Sequence, residues 1–513
     1  MILLILSAVF FITLYVYTTR TFDYWKKRGV KHDRPIPFFG TNKENFLMKK
    51  SITQMAADAY WKYPTEKIVG FYRCSRPELV IRDPVIAKRI LVTDFAYFYP
   101  RGINPHKTVI EPLMRSLFFA DGDLWKLLRQ RMTPAFTSGK LKAMFPLIVE
   151  RAVRLQSRVY DSIFRKKQID ARDLMARYTT DFIGACGFGL DADSLNDEDS
   201  AFRKLGAKIF DVKLKDFIVV ILKMMFPETF KHLRFLSRMD KELIALVDEI
   251  QKQRNYQPSG RQDFIDLLLE TQKKGVMIGE SIEKVKLDGK PEIVQIHMDS
   301  ELFAAQVFVF FAAGFETSSS ATSFTLLQLA YHPEVQKKVQ QNIDTVLSKY
   351  NNLLCYDAVK EMNYLECAFR EGMRMFPSLG QLVRRSARKY TIPEVNVTID
   401  EDVGIIIPLQ AMQNDPQYFE NPEEFRPERF LPENIEEKNR YVYLPFGVGP
   451  RACIGERLGL MQSLAGLAAV LMKFTVEPTP NTVRRPKVEP KSGIVQSIQG
   501  GIPLYFRERI EKY

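Results

Sequence analysis

The chain has 513 residues, of which 46% are apolar and 26% charged, and its formal net charge is +13. This composition is ordinary for a globular protein, and the chain is long enough to bury a large cofactor. The five cysteines are widely separated and form no C-x-x-C pair, which argues against a disulfide framework and a zinc site and fits a reducing compartment. The positive charge is dispersed and we find no nucleic-acid-binding motif, so we expect no nucleic-acid partner.

The first 19 residues carry no charge and read MILLILSAVFFITLYVYTT. As a helix they would measure about 28 Å, close to the hydrocarbon thickness of a bilayer. A basic start and a clear small-x-small cleavage site are both lacking, which favours an uncleaved membrane anchor over 1–19 rather than a cleaved signal peptide. Residues 20–40 predict a basic, proline-bearing linker, and 41–513 the globular domain. By the positive-inside rule, the basic residues after the anchor place the C-terminal side in the cytosol.

Short apolar runs such as KIVGFYR and ELVIRDP predict strands between Gly40 and Leu91. Helical periodicity dominates most of the chain after Leu91. The lysine- and glycine-rich segment 272–290 predicts an exposed, mobile connection between helices. The apolar segment 216–230 is too short and too broken by Pro227 to span a bilayer. We expect it to be a buried helix end; the alternative is a lid that dips into the membrane surface.

Two helical motifs carry polar groups. Trp125 and Arg129 lie four apart in DGDLWKLLRQR and therefore share a helix face. The segment 301–330 is apolar almost all round, which is typical of a central helix, and its AAGFETS stretch places Glu316 beside Thr317. A buried carboxylate and hydroxyl are costly unless they are used or satisfied. A threonine that bonds back to the helix backbone is the structural alternative.

Two further motifs lie in the last third of the chain. Glu371 and Arg374 are three apart in REGMRMFP, and Arg429 lies in RPERF. The stretch PFGVGPRACIG then places Cys453 in a glycine-rich turn ahead of the apolar, helix-like run LGLMQSLAGLAAVLMKF. A thiolate is a good ligand for a soft or borderline metal, and N–H groups in a turn and at a helix N-terminus stabilise its charge. A lone buried cysteine, however, is usually a small core residue.

The cysteine does not stand alone. Phe446, Gly449, Arg451, Cys453 and Gly455 have the spacing F-x-x-G-x-R-x-C-x-G, which resembles the haem-binding loop of cytochromes P450, the haem-thiolate monooxygenases. The order WxxxR, AGxET, ExxR, PERF and cysteine loop extends this resemblance over nearly the whole chain from the proline hinge onward. Segments such as TPAFTSGKLKAMFP look most like the corresponding segments of insect members of the detoxification type. The resemblance implies a mainly α fold, with a large helical domain, a small β-rich lobe and an N-terminal transmembrane anchor.

The resemblance also implies a set of site residues. Cys453 would be the axial ligand of the iron of haem b, with Phe446 as an aromatic wall. Residues that would hold the haem propionates are Trp125, Arg129, Arg384 and Arg451. Thr317 and Glu316 would relay protons toward dioxygen, and Ala313 would leave room over the haem. A buried structural triad would comprise Glu371, Arg374 and Arg429. Substrate-facing candidates, each of which could equally be plain core, are Phe118, Val309, Phe310, Ala313 and Leu379.

By the same resemblance the protein is an endoplasmic reticulum enzyme that takes electrons from NADPH through a flavoprotein reductase, with cytochrome b5 as a further partner. It would insert one oxygen atom into apolar small molecules such as plant toxins and insecticides. The alternatives are a dedicated steroid or fatty-acid monooxygenase, a reductase-independent haem-thiolate isomerase or dehydratase, and a haem sensor. The positive charge is either a plain solvated surface or, as the alternative, a basic patch that docks an acidic electron donor, at Lys126, Arg131, Lys438 and Arg440. The sequence departs from the common family pattern at Gln413, where many members have histidine. We expect this difference to have little effect on function.

Overall fold

The computed structural model describes residues 1–165, 167–190, 192–197, 199–210, 214–235, 237–260 and 263–509. Its α-helices, α1 to α19 in chain order, are Ile2–Thr19, Tyr24–Lys27, Lys43–Phe46, Ile52–Lys62, Pro84–Lys88, Gly122–Met132, Ser138–Phe164, Ala171–Ile183, Ala201–Phe210, Leu214–Met225, Pro227–Phe230, Ser237–Gln253, Phe264–Lys273, Ser300–Tyr331, Pro333–Ser348, Tyr356–Glu361, Asn363–Met375, Leu409–Met412 and Glu456–Lys473. The strands, β1 to β11, are Ile68–Arg73, Arg76–Ile81, Ile169–Asp170, Val276–Val285, Pro291–His297, Leu382–Arg385, Tyr390–Ile392, Val397–Ile399, Gly404–Ile407, Phe474–Pro478 and Pro503–Glu508.

The strands form small sheets beside a helical body, as expected. The largest has the order β1-β2-β9-β6, in which β2 and β9 are parallel and the other neighbours antiparallel. The others are β10-β11-β3 and the two-stranded pairs β4-β5 and β7-β8. Strands β1 and β2 confirm the strand prediction for KIVGFYR and ELVIRDP. The mainly α fold with a small β-rich lobe is therefore the one that the structure shows.

Helix α14 is the central helix of the domain. The Asp299 side chain accepts from the Leu302 N–H at 2.6 Å, which satisfies a backbone donor at the helix start. The helix packs against α8, α12, α17 and α19. Gly314 permits the close approach of α8, because a Cβ there would lie 2.2 Å from Cδ1 of Ile183. The prediction of a long, mostly buried helix over this segment is confirmed.

The N-terminal helix α1 is apolar and exposed. Among the described residues two helices are long and apolar enough to cross a membrane: α1, whose apolar 18-residue stretch is 6% buried, and α14, whose most apolar 18-residue stretch is 67% buried. The burial of α14 makes it a core helix, and α1 remains the candidate anchor. The predicted linker 20–40 is in part docked on the domain, because Trp25 is fully buried and its indole N–H donates to the carbonyl of Phe71 at 3.1 Å.

The apolar segment 216–230 falls in α10 and α11. Leu214 and Ile218 of α10 are exposed, whereas Val219 and Lys223 are buried. The end of α1 contacts this segment: the Tyr17 hydroxyl donates to the carbonyl of Met225 at 3.1 Å, and the Tyr17 and Phe226 rings stack with centroids 5.2 Å apart. The segment is thus only half buried, and its exposed side lies on a helix that adjoins α1.

Segment 272–290 is a largely exposed connection between α13 and α14, as predicted, but it contains β4, which forms an unexpected antiparallel hairpin with β5. The hairpin packs on α6. The buried Asp123 carboxylate of α6 accepts from the Ser281 hydroxyl at 2.8 Å and from the Ile282 N–H at 2.7 Å, and the Glu283 carboxylate accepts from the N–H of Asp123 at 3.2 Å. These contacts join residues about 160 positions apart, so nothing in the local sequence indicates them.

Candidate active site

The loop before α19 holds Cys453 in a tight turn. Gly449 has φ +77°, and a Cβ there would lie 2.1 Å from the carbonyl oxygen of Leu91, so a larger residue would displace the backbone. The N–H of Cys453 donates to the carbonyl of Phe446 at 2.8 Å. This geometry fixes the direction in which the thiol leaves the loop.

The Cys453 side chain is solvent-accessible, and the surrounding protein raises the pKa of its thiol, chiefly by burial. That pKa is lowered in turn by the N–H of Gly455 and by the positive charges of Arg129 and Arg101. A metal ion that binds the sulfur would favour the thiolate in the same way.

Three of the predicted propionate residues meet beside this loop. The guanidinium of Arg451 lies 4.3 Å from the ring centroid of Trp125, and it donates to the carbonyl of Tyr99 at 2.5 Å. Arg129 donates to the carbonyl of Ala452 at 2.8 Å. Helix α6 and the cysteine loop are therefore joined through the residues that the motifs singled out.

The fourth predicted residue, Arg384, comes from β6, and a further arginine, Arg101, is the fourth cation of the group. Burial and the charge of Arg101 lower the pKa of Arg384 to about 9, and burial lowers the pKa of Arg101 to about 10. We call Arg101, Arg129, Arg384 and Arg451 the guanidinium cluster. Sequence reasoning missed Arg101, which lies in a loop and belongs to no spacing motif.

The guanidinium cluster contains more positive charges than the nearby carboxylates can neutralise. Asp121 is the one carboxylate that the described residues bring to it, at 2.9 Å from Nη2 of Arg451. In the described part of the chain, Nε of Arg384 and Nη1 of Arg451 are buried without a hydrogen-bond partner. Buried cations with unused donors are costly unless an anion joins them. The cluster beside a thiol and aromatic side chains thus fits haem, whose two carboxylates would supply the missing charge.

Two neighbouring polar residues of α14, Glu316 and Thr317, make different contacts. Ala313 is exposed on a mostly buried helix, and the Thr317 hydroxyl donates to the carbonyl of Ala313 at 2.6 Å. That bond is the backbone-bonded threonine of the structural alternative, so the hydroxyl is already a donor here. Glu316 is 7% exposed and pairs with Arg172 of α8, its Oε1 lying 2.6 Å from Nη2.

Behind the cysteine loop, the predicted triad is assembled. Arg374 donates to the Glu371 carboxylate at 2.8 and 3.1 Å, and Nε of Arg429 donates to it at 3.3 Å. Glu371 and Arg374 are fully buried. Paired in this way, the three charges join α17 to the segment that precedes the loop.

Gln413 is more deeply involved than we expected. It is fully buried; its amide nitrogen donates to the carbonyls of Met373 and Arg374, and its amide oxygen accepts from the N–H of Leu444, each at 3.1 Å. Leu444 directly precedes Pro445 of the cysteine loop. The residue that departs from the common pattern therefore ties the loop to α17.

The substrate candidates lie in different surroundings. The Phe310 ring stacks on Phe264 at 4.2 Å and lies 6.2 Å from the ring of Phe188, which is a core position. Phe118 lies under the guanidinium of Arg101 at 4.3 Å. Val309 and Leu379 are half-buried. Of the expected donor-docking patch, Arg131 and Arg440 are exposed and Lys126 is half-buried, whereas the side chain of Lys438 lies outside the described part of the structure.

Comparison with known proteins identifies the family of the chain. The sequence model of cytochrome P450 matches residues 31–504. Cytochrome P450 6B7 of Helicoverpa armigera is 37% identical over 504 residues, covering 96% of this chain and 96% of that protein. Cytochrome P450 6a2 of Drosophila melanogaster is 36% identical, with 99% of each chain covered, and cytochrome P450 6k1 of Blattella germanica is 35% identical, with 98% and 96% covered. The chain therefore belongs to the cytochrome P450 family, whose members are monooxygenases that use a haem iron and electrons from NADPH delivered by a reductase.

Proposed function

We propose that this protein is a reductase-dependent monooxygenase of the endoplasmic reticulum membrane, with its catalytic domain in the cytosol. Its substrates are apolar xenobiotics such as plant toxins and insecticides. The observation that carries the proposal is the anion-deficient guanidinium cluster beside the exposed Cys453 thiol. The insect relatives that match it over nearly its full length support the detoxification role.

Each side chain of the proposed site has a separate role. Haem, when bound, supplies the chemistry that activates dioxygen. Cys453 would hold its iron through the sulfur, and the guanidinium cluster would bind its two carboxylates. Trp125 lies against Arg451 and keeps that guanidinium in place. Ala313, without a side chain beyond Cβ, leaves room for substrate, and Glu316 and Thr317 move protons to the reacting oxygen.

The anchor and the half-exposed helix α10 favour entry of substrate from the membrane side. Leu214 and Ile218 are 64% and 48% exposed, and the Tyr17 contact holds the end of the segment against the anchor. Exposed apolar side chains beside an anchor are stabilised by the acyl boundary of a bilayer. We therefore favour the lid for 216–230 over a simple buried helix end. Apolar compounds that concentrate in the bilayer would reach the site beneath this segment.

The test is NADPH-dependent product formation in microsomes that hold this protein and a reductase. The panel combines plant toxins, insecticides, fatty acids and steroids, with products read by mass spectrometry. We expect several unrelated plant compounds to gain one oxygen atom. A single converted steroid or fatty acid would indicate a biosynthetic enzyme, and products that form without reductase would indicate an isomerase or dehydratase. A haem spectrum with no product from any compound would favour a sensor.

The substitution Thr317→Ala tests the proposed proton relay through Glu316 and Thr317. Removing the hydroxyl takes away a proton donor, so NADPH use should continue while product per NADPH falls. Cys453→Ser is the matched control for loss of the whole site: it should abolish the far-shifted Soret band of the reduced, carbon-monoxide-treated protein. Tightly coupled turnover by Thr317→Ala would contradict the relay, and an unchanged band in Cys453→Ser would contradict the ligand assignment.

A further inference from the structure

The guanidinium of Arg451 is held by two short segments of the chain. Its Nε donates to the carbonyl of Tyr99 at 2.5 Å, and its Nη2 donates to the carbonyl of Ala120 and to the Asp121 carboxylate, each at 2.9 Å. Its Nη1 is buried without a hydrogen-bond partner in the described part of the chain. The two segments therefore set the direction of the Nη1 group, which is left for a haem propionate.

The β4-β5 hairpin reaches both segments through the side chain of Glu283. One carboxylate oxygen, Oε2, accepts from the N–H of Asp123 at 3.2 Å, and the other, Oε1, lies 3.5 Å from the Tyr99 hydroxyl. The carboxylate also packs against Gly122, where a Cβ would lie 2.3 Å from Cδ of Glu283. Gly122 has φ +57°, so this position requires glycine for its backbone conformation as well as for the close approach. Glu283 thus bridges the Tyr99 side chain and the residues that directly follow Asp121.

The hairpin is itself fixed on α6. The Ser281 hydroxyl donates to the buried Asp123 carboxylate at 2.8 Å, and the Ile282 N–H donates to the same carboxylate at 2.7 Å. The Ser281 hydroxyl in turn accepts from the N–H of Glu283 at 3.0 Å. Ser281 is 4% exposed, so these bonds are shielded from water. Because strand and helix are tied at this point, the Glu283 carboxylate is delivered to one place.

The position of the Glu283 carboxylate matters more than its charge. The residue is exposed, and solvent and salt screen the field of an exposed carboxylate. Tyr99 is buried, and burial together with the Glu283 charge raises the pKa of its hydroxyl, which therefore stays a neutral donor. The link from the hairpin to Arg451 thus runs through short contacts.

We propose that Glu283 is a positioning residue for haem, which holds the Tyr99 and Asp121 segments together so that Nη1 of Arg451 stays available to a propionate. The inference rests on the proposed binding of haem by the guanidinium cluster. Glu283 does not touch the cofactor, and the hairpin acts on the iron only through Arg451. A propionate that is paired with a guanidinium exerts a weaker negative field on the iron, so the pairing raises the reduction potential.

The experiment measures the reduction potential of the haem-bound, substrate-free, full-length protein by spectroelectrochemical titration. We expect Glu283→Ala to lower the potential, because a displaced Arg451 leaves a propionate charge unpaired. Glu283→Gln keeps the shape of the side chain and an acceptor for the Asp123 N–H, so it should restore most of the native value. If Glu283 acted by its own charge, both variants would raise the potential equally, because each removes one negative charge. Glu280→Ala, which removes an exposed carboxylate from the same strand, is the matched control and should leave the potential unchanged.

The rate of haem transfer to apomyoglobin gives a second readout. Glu283→Ala should raise this rate several-fold in the native background. In an Arg451→Lys background it should have almost no further effect, because a lysine lacks the planar set of donors that Glu283 helps to place. Such non-additivity distinguishes the positioning of Arg451 from a general loosening of the fold, whose effect would add to that of Arg451→Lys.

The outcomes separate this inference from the proposed haem site. An equal rise of the potential in Glu283→Ala and Glu283→Gln, or fully additive effects of Glu283→Ala and Arg451→Lys, would overturn the role of Glu283. So would native values in Glu283→Ala while Arg451→Lys changes both quantities, which would leave the haem site intact. A native transfer rate in Arg451→Lys would count against the guanidinium cluster as the haem site. If Glu283→Ala does not retain haem, Tyr99→Phe removes only the hydroxyl that faces Glu283; a lowered potential would then support the inference and a native one would overturn it.

Discussion

Gln413 offers a direct test of how the cysteine loop is held. The change is Gln413→Met, which keeps the volume and shape of the side chain and so creates no large cavity. It removes three hydrogen bonds of 3.1 Å at a fully buried position and leaves the Leu444 N–H without its partner. At about 0.5 to 1.5 kcal/mol for each bond, the free energy of unfolding of the haem-bound protein should fall by about 2 to 4 kcal/mol.

The assay follows the thiolate-haem spectrum through a denaturant titration. Gln413→His should lose much less stability than Gln413→Met, because an imidazole offers one donor and one acceptor and can keep two of the three bonds. Gln417→Met is the control, since the Gln417 side chain is exposed a few residues away. A Gln413→Met protein as stable as the native one would refute the view that this side chain ties the loop to α17.

Three further changes test other parts of the structure. Glu371→Ala leaves the buried Arg374 unpaired, which should cost about 3 to 5 kcal/mol and appear as haem-free protein; normal haem content would contradict this. Arg101→Leu should raise the rate of haem transfer to apomyoglobin about 10- to 100-fold, since one charged hydrogen bond to a propionate is lost; an unchanged rate would remove Arg101 from the site. Burial and the nearby Glu111 raise the pKa of Asp240 from 3.8 to about 6, so its contribution to stability is present below pH 3.8 and is lost as the pH rises through 6. Asp240→Asn should therefore have a thermal midpoint above the native one, by more at about pH 7.5 than at about pH 5; an equal difference at both would contradict the assignment.

The parts of the site that the sequence predicts are those set by short spacings. Trp125 and Arg129 are one helical turn apart, and Arg451 and Cys453 share one loop, so local geometry brings each pair to the same place. The same holds for Glu371 and Arg374, which are three apart on α17.

The parts that the sequence does not predict depend on tertiary packing. Arg101 approaches the loop from a position 350 residues away from Arg451, and Arg172 is 144 residues from Glu316. No spacing rule connects such residues. The β4-β5 hairpin was missed for a related reason. Its lysines and glutamates obscure the two-residue alternation, and its stability comes from the docked Asp123 of α6.

The stacking of Tyr17 on Phe226 bears on how this enzyme is prepared for solution work. Deleting the first 19 residues to obtain a soluble form would also delete Tyr17, and with it a hydrogen bond and a stacked ring on the turn between α10 and α11. The shortened enzyme would therefore differ from the native one at the proposed substrate entrance as well as in solubility. Michaelis constants for the largest and most lipophilic substrates, measured with and without the first helix in the same detergent, would reveal that difference.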